Sequence, residues 1–193
     1  MSGHPTSRSD RELLEATLAG DETAFLEIYR RHRDRIYRFA YRMTGSPEAA
    51  GDVTHSCFVG LLEGPSRYDE RRASLGTYLC AAARNLSLRY ASRAWRERSV
   101  ADLAERQPAR GPSPLEALLE DERVRMVRAA LAALAPLHRE VLILAEYEDL
   151  DLAVIAQVVG AQVGAVKVRL HRARRKLRAA LETQMRSGML VVD

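Results

Sequence analysis

From Val163 to Leu181 the chain carries seven basic side chains and no acidic one: Lys167, Arg169, Arg172, Arg174, Arg175, Lys176 and Arg178. In the same stretch Val163, Val166, Leu170, Ala173, Leu177 and Leu181 recur at spacings of three and four, which a helix gathers onto one buried stripe. Upstream, Leu142, Ile143, Leu152, Ile155, Ala156 and Val159 offer an opposing apolar surface. Gly160 falls at the tight turn between the two segments, where a positive φ is expected. A short apolar helix, a glycine turn and a basic helix form the layout of a helix-turn-helix, whose second helix enters the major groove of DNA. Arginines also decorate helices for solubility, but seven bases without one acid on such a unit favour DNA. An RNA-binding reading is weaker, because the chain shows neither an aromatic stacking platform nor an RNP-like strand.

Within that helix, Lys167, His171 and Arg172 lie near the start and are expected to meet base edges. Arg174, Arg175 and Arg178 are expected at phosphates, and Val168 can touch a thymine methyl. The segment from Leu115 to Glu122, by contrast, holds acids and no base. A basic strip beside acidic segments suits a chain that meets nucleic acid on one face and protein on another.

Charged residues make up 29% of the 193 and the hydrophobic set 47%, so the chain should fold. Aromatic residues are only 6%, and the apolar mass is mostly Ala, Leu and Val, which points to helix–helix packing. Residues 1–9 read as a loose tail. Ser9 or Asp10 can cap a short helix ending at Gly20, and Asp21 can cap a second. The second carries Phe25, Ile28, Tyr29, Ile36, Phe39, Ala40 and Met43 as a stripe and ends at Thr44-Gly45. Ser46-Pro47 restarts the chain into a third helix, broken at Gly64-Pro65. A fourth, with Leu75, Tyr78, Leu79, Ala82, Ala83 and Leu86, is expected to reach about Arg96.

Between Ser99 and Pro114 the pattern dissolves, with Pro108, Pro112 and Pro114 crowded close together. Proline removes donors and blocks helix propagation, so this reads as an extended, flexible linker. Helices are expected again at 115–134, 136–147, 151–159 (with Asp151 as cap) and 163–181. The fold class is all-α, with two small helical domains: 10–97, a linker over 98–114, 115–181, and a C-terminal tail at 182–193.

The amino-terminal segment adds what a helix-turn-helix alone cannot. Residues 48–62, EAAGDVTHSCFVGLL, then 68–90, YDERRASLGTYLCAAARNLSLRY, then RAWRER resemble conserved region 2 of extracytoplasmic-function sigma factors. Residues 134–178 resemble their region 4. The likeness runs over about 11–181, in the right order. It implies a bacterial promoter-specificity subunit that binds core RNA polymerase, recognises a −35 element with its second domain and melts −10 DNA with its first. It is not itself a catalyst. It implies docking to the polymerase by Asp52, His55, Phe58, Leu61 and Leu62, though for at least one of the three apolar residues the expectation is ordinary core. It implies −10 contacts by Asn85, whose amide can both donate to and accept from an extruded base. Arg89, Arg93, Trp95 and Arg96 supply guanidinium and indole groups suited to single-stranded DNA. The −35 set becomes Lys167, Val168, Arg169, His171, Arg172, Arg174, Arg175 and Arg178. Many members of the family are held silent by an anti-sigma factor, so such a partner is expected here.

The chain departs from the family pattern in places. His55 stands where glutamine is usual and Tyr78 where tryptophan is usual; Ala165 and Val168 replace two hydroxyl residues. Two rivals remain: a stand-alone helix-turn-helix regulator, and a sigma-like protein that binds polymerase without initiating. Catalysis is disfavoured. His4, His32, His55, His138 and His171 show no metal-ligand spacing, and GxSxG and phosphate-cradling loops are absent. No cofactor, metal or small-molecule substrate is expected. Cys57 and Cys80 lack CxxC spacing and read as buried apolar side chains in a reducing cytosol. No apolar run reaches a membrane span and the polar start is no signal peptide, so a cytoplasmic location without membrane insertion is expected.

Overall fold

A computed structural model describes residues 8–65, 68–101 and 122–189 of the chain. Every regular element among them is a helix. The first domain holds α1 (Asp10–Leu18), α2 (Glu22–Thr44), α3 (Pro47–Glu63) and α4 (Leu75–Ala101). The second holds α5 (Glu122–Ala132), α6 (Pro136–Glu146), α7 (Leu152–Val159) and α8 (Val163–Met189).

The starts and stops follow local chemistry. Ser9 and Glu12 form a reciprocal capping box: the Ser9 hydroxyl accepts from the Glu12 N–H, and the Glu12 carboxylate accepts from the Ser9 N–H at 2.7 Å. Asp21 Oδ1 accepts from the N–H groups of Thr23 and Ala24 at 2.9 and 3.1 Å. Gly45 closes α2 in the left-handed region at φ 72°, and Ser46 caps α3 with Pro47 in its first turn. Asp151 occupies the cap position of α7, but its side chain makes no capping hydrogen bond, contrary to expectation.

α2 is the hub of the first domain, packed on α1, α3 and α4. Ile28, Ile36, Phe39, Ala40 and Met43 are buried, with Phe25 and Tyr29 partly so. In the second domain α5, α6 and α7 all pack on α8. Burial of Cys57 and Cys80 pushes both thiols up to about 12, so they behave as small apolar side chains.

Boundaries differ from expectation at two places. α4 runs past Arg96 to Ala101, so the first residues assigned to the linker are helical. α8 continues eight residues beyond Leu181, so most of the expected tail is helix. ETQMRS there contains no proline or glycine to stop it. The rest of the linker, residues 102–114, the helical segment expected at 115–121 and the tail at residues 1–7 lie outside the described residues. The two domains also touch: α2 packs against α5 and α6, and α4 against α6 and α7.

Candidate nucleic-acid interface

Gly160 adopts φ 64° at the end of α7, and its N–H donates to the carbonyls of Ala156 and Gln157. The Ala161 N–H also returns to the Ala156 carbonyl, so the chain reverses within three residues. The axes of α7 and α8 then lie 98° apart, within the range of a DNA-binding helix-turn-helix. Val166, Leu170 and Ala173 bury the inner face of α8, with Leu177 and Leu181 partly buried. Val163, expected in that stripe, is 46% exposed.

The outer face of α8 presents Lys167, Val168, His171, Arg172, Arg174, Arg175, Lys176 and Arg178 to solvent. Arg174 pairs with Glu146 at 2.6 Å, but both side chains are exposed. Such a pair is worth about 0–1 kcal/mol and yields readily to a phosphate. At the start of α8 a shallow groove of about 470 Å³ is lined by Leu137, His138, Gly164, Ala165, Val168, Arg169 and Arg172. His138 brings a buried Nδ1 without a hydrogen-bond partner to this groove. Burial first, then the charges of Lys176, Arg169 and Arg172, lower its pKa and favour the neutral imidazole.

Arg169 departs from the expected set. It lies three residues from Val166 and four from Ala173, hence toward the inner face, and donates to Glu140 Oε1 at 3.2 Å. Glu140 is wholly buried, and its carboxylate also receives the Arg84 fork from α4, at 2.6 Å to Oε2 and 3.1 Å to Oε1.

On α4, Asn85, Arg89, Arg93 and Arg96 are exposed at spacings of four, four and three, which aligns them along one edge. Asn85 Oδ1 accepts from Arg84 at 2.9 Å, and Arg93 pairs with Glu97 at 2.9 Å in full view of solvent. Trp95 is half-buried beside this edge.

The residues assigned to polymerase docking divide. Asp52, His55 and Leu62 lie on the open face of α3, and Leu62 is 40% exposed. Phe58 and Leu61 are buried at 3% and 1% and belong to the core instead. Phe58 packs edge-on against Tyr29 and Phe25, with ring centroids 4.8 and 6.4 Å away. Its spacing from Val53, Thr54 and Cys57 already placed it on the inner stripe.

Several polar residues that organise the structure carried no sequence expectation. Arg139, almost fully buried, donates to the carbonyls of Leu131, Ala132 and Leu134 in its own domain and of Met43 in the other. Glu148, at 5% exposure, pairs with Arg35 at 2.7 Å and approaches Arg42 at 3.9 Å. Among the described residues, no cluster of His, Cys, Asp and Glu could hold a metal ion.

Comparison with known proteins agrees with this geometry. Sigma-70 region 2 matches residues 28–97, and sigma-70 region 4 matches residues 125–177, together more than half the chain. The ECF RNA polymerase sigma factor SigE of Mycolicibacterium smegmatis is 33% identical over 165 residues, which cover 82% of this chain and 63% of that protein. The chain thus spans less than two thirds of that relative. SigW of Bacillus subtilis is 28% identical over 171 residues, covering 84% and 91%. Among solved structures, CnrH in complex with the cytosolic domain of CnrY shares the fold with a TM-score of 0.66 at 24% identity, covering 91% of this chain and 99% of that one. The sigma factor RpoE of Bartonella quintana, solved with the anti-sigma factor NepR, gives 0.63 at 19% identity, covering 82% and 96%. Both conserved regions occur in order, on the helices that carry the two basic edges: the chain belongs to the extracytoplasmic-function sigma factors.

Proposed function

We propose that this chain directs promoter-specific initiation by bacterial core RNA polymerase, reading −35 DNA with α8 and −10 DNA with α4. The observation that carries this is the pairing, in one chain, of a base-rich helix on a helix-turn-helix with a second exposed edge of Asn85, Arg89, Arg93 and Arg96. The first element suits duplex DNA, where phosphates set the affinity and bases the register. The second suits single strands, where guanidinium groups track the backbone and an amide reads an extruded base. Asp52, His55 and Leu62 on α3 are the docking residues for the polymerase.

The protein supplies recognition, and the polymerase supplies the chemistry. Because RpoE was solved with an anti-sigma factor, a repressing protein partner of that kind is proposed here too. Its place of work is the bacterial cytoplasm, beside polymerase and chromosome. Co-elution with sigma-free core polymerase on gel filtration tests the docking. Wild-type protein should co-elute, and Asp52→Arg should weaken the complex at least tenfold. Absence of a wild-type complex would refute the reading.

A further inference from the structure

In the seam between the two domains, α2 and α5 border a cavity of about 430 Å³ that neither DNA-reading edge uses. Arg38, Tyr41 and Arg42 line it from α2, and Tyr147 closes it from the end of α6. α5 supplies an apolar wall of Val124, Val127 and Leu131, flanked by Arg123 and Arg128. Four guanidinium groups thus surround one hollow, and no carboxylate stands among its described lining residues. Glu148 approaches Arg42 at 3.9 Å, but its shorter bond, at 2.7 Å, goes to Arg35 outside the lining, so the cavity keeps a positive balance.

The four cations are of two kinds. The Arg128 guanidinium lies 4.9 Å from the Tyr41 ring centroid, and that of Arg42 lies 4.2 Å from the Tyr147 centroid. These contacts set two guanidinium planes beside aromatic rings, a surface on which a flat ring system can stack. Tyr37 backs Tyr41, with the two rings 3° from parallel and their centroids 6.2 Å apart. Arg38, by contrast, is exposed and has neither a hydrogen-bond nor an ion-pair partner among the described residues. Arg123 is exposed on the opposite wall, and Val124 beside it leaves 50% of its surface in solvent.

That division specifies the occupant. Guanidinium forks take phosphate oxygens in pairs, while stacked rings and an aliphatic wall take an uncharged, flat body. A bare inorganic anion leaves the apolar wall unused, and a fatty acid has one charge for four cations. The volume stands near the lower end of the roughly 300–1,000 Å³ typical of small-molecule sites, which suits a mononucleotide rather than a dinucleotide. We propose that this cavity binds a nucleoside di- or triphosphate, its base stacked along the Arg128–Tyr41 and Arg42–Tyr147 pairs and its phosphates between Arg38 and Arg123. The site is separate from the edges on α4 and α8, so its ligand is a small molecule that the chain senses and not a piece of its promoter.

Calorimetric titration of the full chain at about 150 mM salt tests the site, with GDP, GTP, ATP, guanosine and inorganic pyrophosphate as probes. One nucleoside di- or triphosphate should bind per chain with a Kd on the order of 10 μM, about tenfold or more below that of guanosine or pyrophosphate alone. Arg38→Gln should weaken it about tenfold, and Val124→Asp, which sets a carboxylate at the mouth, should abolish it. Both positions are exposed, so neither change disturbs the core. Arg33→Gln removes the same charge from an exposed position of the same helix outside the cavity and should leave the Kd unchanged. Absence of binding up to about 1 mM overturns the proposal. So does pyrophosphate bound as tightly as GDP, which would mark a bare anion site, or equal weakening by Arg33→Gln and Arg38→Gln, which would mark diffuse charge. A poly-glutamate peptide that binds more tightly than every nucleotide would give the cavity to an acidic protein partner instead. None of these readouts involves transcription, so their failure is distinct from failure of the sigma reading.

Discussion

Replacing Arg139 with methionine isolates one group that holds the fold together across two helix ends. In a continuous helix the Met43 carbonyl would accept from the residue four along, but that residue is Pro47, which has no N–H. The Ala132 carbonyl faces the same deficit at Pro136. Both prolines favour the helices they begin, and each withholds the N–H that a carbonyl of the preceding helix would otherwise accept. The Arg139 fork donates to both, and also to Leu131 and Leu134. A buried carbonyl left without a donor costs about 1–3 kcal/mol, and methionine fills the volume while donating nothing. The Leu131 carbonyl keeps the Leu134 N–H and Ala132 keeps a further partner, so the Met43 and Leu134 carbonyls lose their donor. Two carbonyls at that cost give an expected loss of about 2–6 kcal/mol. That is a large share of the 5–15 kcal/mol typical of a folded domain, and on the order of 10 °C in Tm. Urea unfolding followed by far-UV circular dichroism measures it from the midpoint and slope. Arg139→Lys should recover less than half, since an ammonium cannot span the set as the planar fork does. A loss below about 1 kcal/mol for Arg139→Met would show that these carbonyls do not depend on the guanidinium.

Three further outcomes are expected. Arg172→Ala should weaken −35 duplex binding by about 1–3 kcal/mol and relax preference at one position, whereas Arg178→Ala should weaken all sequences alike and flatten the salt slope; identical behaviour in a binding titration across salt would dissolve the distinction. Gly160→Ala meets open space, so its cost is backbone strain alone at φ 64°, about 1–2 kcal/mol by thermal unfolding; a neutral result would mean the turn tolerates an L residue. Cys57 and Cys80, with thiols at about 12, should resist iodoacetamide at pH 8 in the native protein and react in denaturant, as read by mass spectrometry. Native labelling of either would show that its helix opens.

The parts of this structure legible in the sequence are those governed by local rules. Ser9, Asp21 and Ser46 cap helices because a short side-chain oxygen reaches the next N–H groups, and Gly45 and Gly160 end helices because their φ is positive. The inner stripes of α2 and α8 follow from the spacing of their apolar residues. The same spacing puts Phe58 and Leu61 inside and turns Arg169 inward, so at these residues helical periodicity is the better guide than family likeness. The seam is different in kind. Glu140, Glu148, Arg139, Arg84 and Arg35 are charged residues that a one-dimensional pattern assigns to solvent, and only the approach of two domains makes them buried partners. The Met43 carbonyl opposite Pro47 is a readable sign that a donor from elsewhere is needed, though not that Arg139 supplies it.

In the proposed function the two exposed edges act together on one promoter. Run-off transcription with sigma-free bacterial core polymerase and fragments of the host genome tests it most directly. Discrete transcripts should appear that require this protein, start at fixed positions and disappear when either Asn85 or Arg172 is replaced by alanine. Transcripts that survive both replacements, or stable polymerase binding with no transcript at all, would contradict it.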